Sequence, residues 1–243
     1  MDLHVTTVGT GERHVGLVHG LGADGRTWQP LVDRLLATRR CTVTTIDLRG
    51  HGQSDRADSY RLADFADDVV TALPAGLDVV VGHSLGGSVL VRAVDRLRPR
   101  RAVYLDPGFA LGLPSTGVAG RLFWAVPRLT MGVAGALQAL RGARTRAAYG
   151  PDVRALLDQA RGRFDSRMAT DVFRDVTFHP VAAAPPVVPS TIVLSDDSSA
   201  VLPDDLAARL AQLGWDVRRL PGVHHDMHLE APDRTFDLLA DLR

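Results

Sequence analysis

Ser84 lies in the stretch DVVVGHSLGGSVL, residues 78 to 90, directly after three valines and a histidine and between Gly82 and Gly86. A serine hydroxyl is a poor nucleophile until a base takes its proton, and histidine is the side chain whose ordinary pKa suits that task near neutral pH. Nine histidines are available. Three of them, His224, His225 and His228, crowd into HHDMH close to the end of the sequence. The chemistry on offer is therefore nucleophilic attack by Ser84 on an electrophilic carbon, with a histidine from a distant segment as base. A zinc reading of HHDMH is weaker. His225, His228 and Asp226 have ligand-like identities, but no second cluster elsewhere completes a site, so no metal is expected.

For that serine to act it must stand clear of its surroundings, and the flanking pattern supplies the means. DVVVG reads as a buried strand and GSVLVRAVDRL as a helix, so Ser84 falls on a strand-turn-helix junction. A turn that sharp leaves no room for neighbouring Cβ atoms, which is what Gly82 and Gly86 provide, and Gly87 lets the helix start close to the strand. The same junction places Ser84 at a helix N-terminus, where free N–H groups and the positive dipole end favour a developing oxyanion.

The pattern extends in both directions. HVGLVHG, CTVTTIDLRG, RAVYLD, STIVLS and WDVRRLPG read as further strands, and GRTWQPLVDRLLAT, YRLADFADDVVTAL, PDDLAARLAQLG and APDRTFDLLADL as helices. In PDDLAARLAQLG, Leu206, Leu210 and Leu213 share one helical face. Strands that alternate with helices imply right-handed crossovers and a mostly parallel, doubly wound sheet. Cys41 is expected to open a buried strand. Between Asp106 and Val187 the strand signal disappears, although Phe109, Leu111, Leu113, Leu122, Phe123, Trp124, Val126, Leu129 and Met131 make the segment too apolar for a linker. The division expected is a core of residues 1–106 and 188–243 with a mostly helical insertion over 107–187.

Composition bounds the rest. The 243 residues are 45% hydrophobic and 23% charged, the profile of a globular protein with a sizeable core. Basic and acidic residues balance at 28 each, which leaves no global field to attract nucleic acid or an anionic membrane. Cys41 is the only cysteine, so no internal disulfide can form. The first twenty residues lack a basic start followed by an apolar run, and nowhere do 18 apolar residues follow one another. A soluble, cytoplasmic protein is the expectation.

Four motifs together, in this order, resemble the α/β-hydrolase family over almost the whole length. GLVHGLG (16 to 22) is similar to its oxyanion loop, and TTIDLRGHGQSD (44 to 55) to its next strand and loop. GHSLGG (82 to 87) resembles its nucleophile elbow, and LPGVHHDMHLEAP (220 to 232) its histidine loop. The resemblance implies that Ser84 is the nucleophile, that the backbone amides of Leu21 and Leu85 form the oxyanion hole, and that residues 107 to 187 are the cap. It also implies that His225 is the base, with His224 standing where the family carries a glycine and His228 structural. His19 and His51 fall in the first two loops, where structural hydrogen bonding is the expected role.

The acid departs from the family's pattern. The setting G-x-x-D-x-x-x-P, laid on STIVLSDDSSAVLP, lands on Ser199 rather than a carboxylate. Some members of the fold carry their acid at the tip of the preceding strand, which points to Asp106 in AVYLDPGF. Asp197 is the runner-up, and Asp196 or a serine-assisted diad are further options. An aspartate at the elbow would mark a dehalogenase or epoxide hydrolase, and Ser84 excludes both. The resemblance implies a serine hydrolase acting on an ester, lactone or thioester through an acyl-enzyme, without a cofactor and with an apolar small-molecule substrate. Arginines of the cap and the stretch after it, among them Arg121, Arg128, Arg141 and Arg144, are expected to lie on solvated helix faces, and one of them offers an anchor for a substrate carboxylate. The alternatives are a non-hydrolytic member of the fold, such as a lyase, cyclase or cofactor-free haloperoxidase, or a small-molecule receptor with little turnover.

Overall fold

The computed structural model describes residues 1–127, 129–132 and 143–240, without the side chains of Arg144 and Ala240. Arg128 and Arg141 lie outside the described residues, as does the side chain of Arg144. Among the described residues seven strands form one sheet: β1 (Val5–Val8), β2 (Arg13–Val18), β3 (Cys41–Ile46), β4 (Val79–His83), β5 (Arg101–Leu105), β6 (Ser190–Leu194) and β7 (Asp216–Arg219). Their order across the sheet is β1-β3-β2-β4-β5-β6-β7. All neighbours are parallel except β1, which runs antiparallel to β3. The sequence pattern began at β2 and passed over β1. Three of the four residues of that edge strand, VTTV, are exposed, so no buried apolar run marks it.

The helices are α1 (Gln29–Ala37), α2 (Leu62–Ala72), α3 (Leu85–Leu97), α4 (Gly117–Ala125), α5 (Ala143–Ala148), α6 (Pro151–Gly162), α7 (Met168–Phe178), α8 (Asp204–Gln212), α9 (Met227–Glu230) and α10 (Pro232–Ala240). They cover both faces of the sheet, and this is why the central strands are continuously apolar rather than alternating. Val80, Ala102, Tyr104 and Ile192 point into a core shared with α2, α3 and α8. Val79, Val81, Val103, Leu105 and Val193, one residue out of phase, point into the other, shared with α1 and α10. On α8, Leu206 and Leu210 are buried, whereas Leu213 is more than a third exposed because it caps the helix where the chain turns away.

Among the described residues from 107 to 187 there is no strand; α4 to α7 occupy this stretch. Part of it docks on the loops at the C-terminal ends of β2 and β3. Arg26 donates to the Gln159 side chain of α6 at 3.1 Å, the Asp165 N–H donates to the Gly50 carbonyl at 2.8 Å, and the Leu62 N–H donates to the Asp175 carboxylate of α7 at 2.7 Å. No helix among the described residues is long and apolar enough to cross a membrane.

Candidate active site

The turn between β4 and α3 holds Ser84 at φ 51° and ψ −112°, a strained conformation for a residue with a side chain. Several backbone hydrogen bonds enforce it. The Ser84 N–H donates to the Leu105 carbonyl at 3.0 Å, and the Ser84 carbonyl accepts the N–H groups of Gly87 at 3.0 Å, Ser88 at 3.2 Å and Gly108 at 3.0 Å. The flanking glycines are a steric requirement. A Cβ on Gly86 would lie 2.2 Å from the Val18 carbonyl oxygen, and one on Gly82 would lie 2.6 Å from that of Gly86. Both obstacles are backbone, so neither can swing aside.

Ser84 Oγ lies 2.9 Å from His225 Nε2, and His225 Nδ1 lies 3.1 Å from Asp106 Oδ2. Two neighbouring strand tips and a loop more than a hundred residues further along thus meet in one hydrogen-bonded chain. His225 donates its Nδ1–H to the carboxylate, leaving Nε2 as an acceptor for the serine proton. Asp106 follows β5 directly and has φ 41°, a left-handed conformation that aspartate tolerates better than most residues. It is fully buried, while the His225 side chain is 35% exposed. Asp197, by contrast, bonds to the cluster through its backbone N–H, which donates to Ser195 Oγ at 3.1 Å, and its carboxylate acts on His225 through its charge. Asp196 reaches the histidine loop instead, accepting the Gly222 N–H at 2.9 Å.

Electrostatics suit His225 to act as a base. Burial pulls its pKa down, but the hydrogen bond it donates to Asp106 and the charges of Asp226, Asp106 and Asp197 outweigh that pull, and the net shift is upward. The neighbouring histidines go the other way. Burial lowers His19 and His83 to about 4 and His51 to about 3, so all three are neutral near pH 7. His19 donates from Nδ1 to the Gly20 carbonyl at 2.8 Å and accepts the Leu48 N–H on Nε2 at 2.9 Å. His51 donates from Nδ1 to the Arg49 carbonyl at 3.0 Å and accepts the Gly22 N–H on Nε2 at 3.1 Å. Each therefore fixes the shape of a loop beside Ser84.

Leu21 sits between Gly20 and Gly22 in the first of those loops. Gly20 abuts the elbow so closely that a Cβ there would stand 3.1 Å from the Ser84 Cβ. Leu85 is the first residue of α3, a position whose N–H has no carbonyl within the helix to donate to.

Two residues that the sequence did not single out belong to the same cluster. His83 donates from Nε2 to the His225 carbonyl at 2.9 Å, holding the histidine loop from beneath. Ser195 donates its N–H to Asp106 Oδ1 at 2.8 Å and its hydroxyl to Asp106 Oδ2. His224 is turned away, its ring and its N–H both engaged by Glu230 at 2.9 and 2.8 Å. His228 is buried against Trp28, with ring centroids 4.4 Å apart. No group of three or more His, Cys, Asp or Glu side chains suited to a metal ion occurs among the described residues.

Comparison with known proteins fixes the family. The model of the alpha/beta hydrolase family matches residues 17–238. The chain belongs to that family. Among curated relatives, the pimeloyl-[acyl-carrier protein] methyl ester esterase of Proteus mirabilis (strain HI4320) is 34% identical over 102 residues, 42% of this chain and 38% of that protein. Matches of this kind span less than half the length of the curated relatives. Solved structures align over nearly the whole chain. An enzyme described as degrading N-acyl homoserine lactones superposes with a TM-score of 0.75 at 23% identity, covering 98% of this chain and 96% of that one. A bromoperoxidase from Bacillus anthracis gives 0.76 at 17% identity, covering 99% and 94%. At such identities the likeness is one of fold, and this alpha/beta hydrolase has to be assigned a reaction from its own site.

Proposed function

We propose that this alpha/beta hydrolase is a serine hydrolase that cleaves esters, lactones or thioesters through an acyl-enzyme. The observation that carries the reading is the hydrogen-bonded chain Ser84 Oγ to His225 Nε2 at 2.9 Å and His225 Nδ1 to Asp106 at 3.1 Å. Ser84 attacks the acyl carbon while His225 takes its proton; the imidazolium formed is stabilised by Asp106 and then protonates the leaving alkoxide or thiolate. Water, deprotonated by the same histidine, releases the acid. The N–H groups of Leu21 and Leu85 receive the oxyanion, and the dipole of α3 adds to that field.

The helices of residues 107–187 serve as the cap, and their contacts with the loops around Gly50 and Arg26 support that role. Phe164 stands over His51 with ring centroids 5.1 Å apart, and Leu21 is half-buried beside the elbow, which favours an apolar acyl or alcohol group. The relatives' names, a methyl ester esterase and a lactone-degrading enzyme, are in keeping with this class of substrate.

Hydrolysis of 4-nitrophenyl esters from acetyl to decanoyl, by the wild type and Ser84→Ala in parallel, tests the proposal. Turnover that depends on chain length and disappears in the variant is expected. Wild-type turnover retained by Ser84→Ala would refute the assignment of the nucleophile. A wild type inert to every ester would instead favour a lyase, haloperoxidase or receptor on the same fold.

A further inference from the structure

The turn after β6 is where the family's spacing pointed to an acid, and it carries Ser195, Asp196 and Asp197. Ser195 is buried, and both of its donors converge on one carboxylate: its N–H on Asp106 Oδ1 at 2.8 Å and its hydroxyl on Asp106 Oδ2. Oδ2 is also the oxygen that accepts the hydrogen bond of His225 Nδ1–H. The hydroxyl is itself held, because Oγ accepts the Asp197 N–H at 3.1 Å. Asp196 grips the histidine loop at two points. Its N–H donates to the Val223 carbonyl at 2.9 Å, and its carboxylate accepts the Gly222 N–H at 2.9 Å.

We propose that Ser195 is the positioning residue for Asp106, and that the turn Ser195–Asp197 is a bracket setting the distance between Asp106 and the loop of His225. The inference rests on the reading of Ser84 as nucleophile. A lone buried carboxylate can rotate about its two side-chain torsions, and His225, one-third exposed, is a weak restraint on it. Two donors from one residue, one on each oxygen, fix both torsions, and Oδ2 is then presented to His225 in a single orientation. The turn holds Asp106 through its first residue and the histidine loop through its second.

Labelling by a fluorophosphonate reads attack by Ser84 without knowledge of the natural substrate. The Oγ–P bond forms, fluoride leaves, and the serine proton passes to His225. Labelling rates are compared in the wild type, Ser195→Ala, Asp106→Asn and the double variant. Ser195→Ala is expected to label roughly tenfold more slowly, the scale of one charge-assisted hydrogen bond felt in part at the transition state. In the Asp106→Asn background the same substitution should cost less than about twofold, because the carboxylate it orients is gone.

An equal loss in both backgrounds, as general loosening of the fold would give, overturns the proposal, and so does wild-type labelling by Ser195→Ala. Ser195→Thr keeps the hydroxyl and should label within about threefold of wild type; labelling at the slow rate of the alanine variant would overturn it too. A wild type that does not label at all would refute the nucleophile assignment, and this proposal with it.

Discussion

Replacing Asp106 by asparagine is the most incisive perturbation, because the structure dictates how the amide must sit. Asp106 Oδ1 accepts a backbone N–H, that of Ser195, at 2.8 Å. An N–H can only donate, so the amide oxygen must take the Oδ1 position, and the NH₂ group falls where Oδ2 meets His225 Nδ1 and the Ser195 hydroxyl. The alternative rotamer sets two donors against each other in a fully buried site, which is costly. The NH₂ group then donates to His225 Nδ1, and the histidine is forced to carry its proton on Nε2, facing Ser84. No lone pair remains to accept the serine proton. The expected loss is about 10⁴ in turnover, roughly 5 kcal/mol in the barrier. Initial rates on 4-nitrophenyl acetate for wild type, Asp106→Asn and Asp197→Asn measure it, with circular dichroism to show that each variant is folded. Asp197 bonds to the cluster through its backbone, and its charge has the smallest effect of those acting on His225, so its substitution should cost no more than about threefold. Asp106→Asn with more than a tenth of wild-type activity would refute the tautomer argument, and a large loss confined to Asp197→Asn would move the acid.

Two further outcomes concern pH. His225 must be neutral to act as base, and its pKa is raised above the ordinary histidine value of 6.5, so kcat/KM should fall as pH drops through a limb lying above that value. Asp106→Asn removes one of the charges that raise it, together with the hydrogen bond, and the limb should move to lower pH; a limb unmoved by the substitution would contradict the coupling. His19 and His51 are buried and neutral in the fold, at about 4 and about 3, whereas the unfolded chain takes up protons below about 6.5. The unfolded state binds more protons over that interval, so stability declines as pH falls from 6.5 toward 4, by about 2 kcal/mol for each histidine at pH 5. Urea midpoints that coincide at pH 7 and pH 5 would show that these rings are not held neutral.

The elements whose signal is local were legible in the sequence. The elbow is a single junction where apolar strand, glycines and serine adjoin, and Gly82 and Gly86 are required by carbonyls a few residues or one strand away. The parallel sheet showed in runs such as Val79, Val80 and Val81, which alternate between two cores and so must all be apolar. What escaped depends on register between segments. β1 is an exposed four-residue edge with no apolar signature of its own. The part of His83 is fixed by the loop that folds over it, since its partner is the carbonyl of a residue 142 positions away. Nothing about a serine after STIVL marks it as the companion of an aspartate 89 positions earlier.

With Asp106 as the proposed acid, the same dependence on register explains why a ruler along the sequence lands elsewhere. β5 and β6 are parallel neighbours with Leu105 opposite Val193, and the Asp106 N–H donates to the Val193 carbonyl at 2.9 Å. The tips of these strands stand one strand spacing apart, about 4.8 Å. A carboxylate on either tip is thus close to the same histidine. What His225 requires is an oxygen at a point in space, and the sheet offers two positions in the chain from which to supply it. An acid after β5, as proposed, changes the demands on its neighbours. Asp106 must adopt a left-handed backbone, and Gly87 must stay bare, because a Cβ there would come within 2.7 Å of Pro107 Cβ. The turn after β6 no longer has to donate a carboxylate, and it is there that Ser195 faces Asp106 with both of its donors.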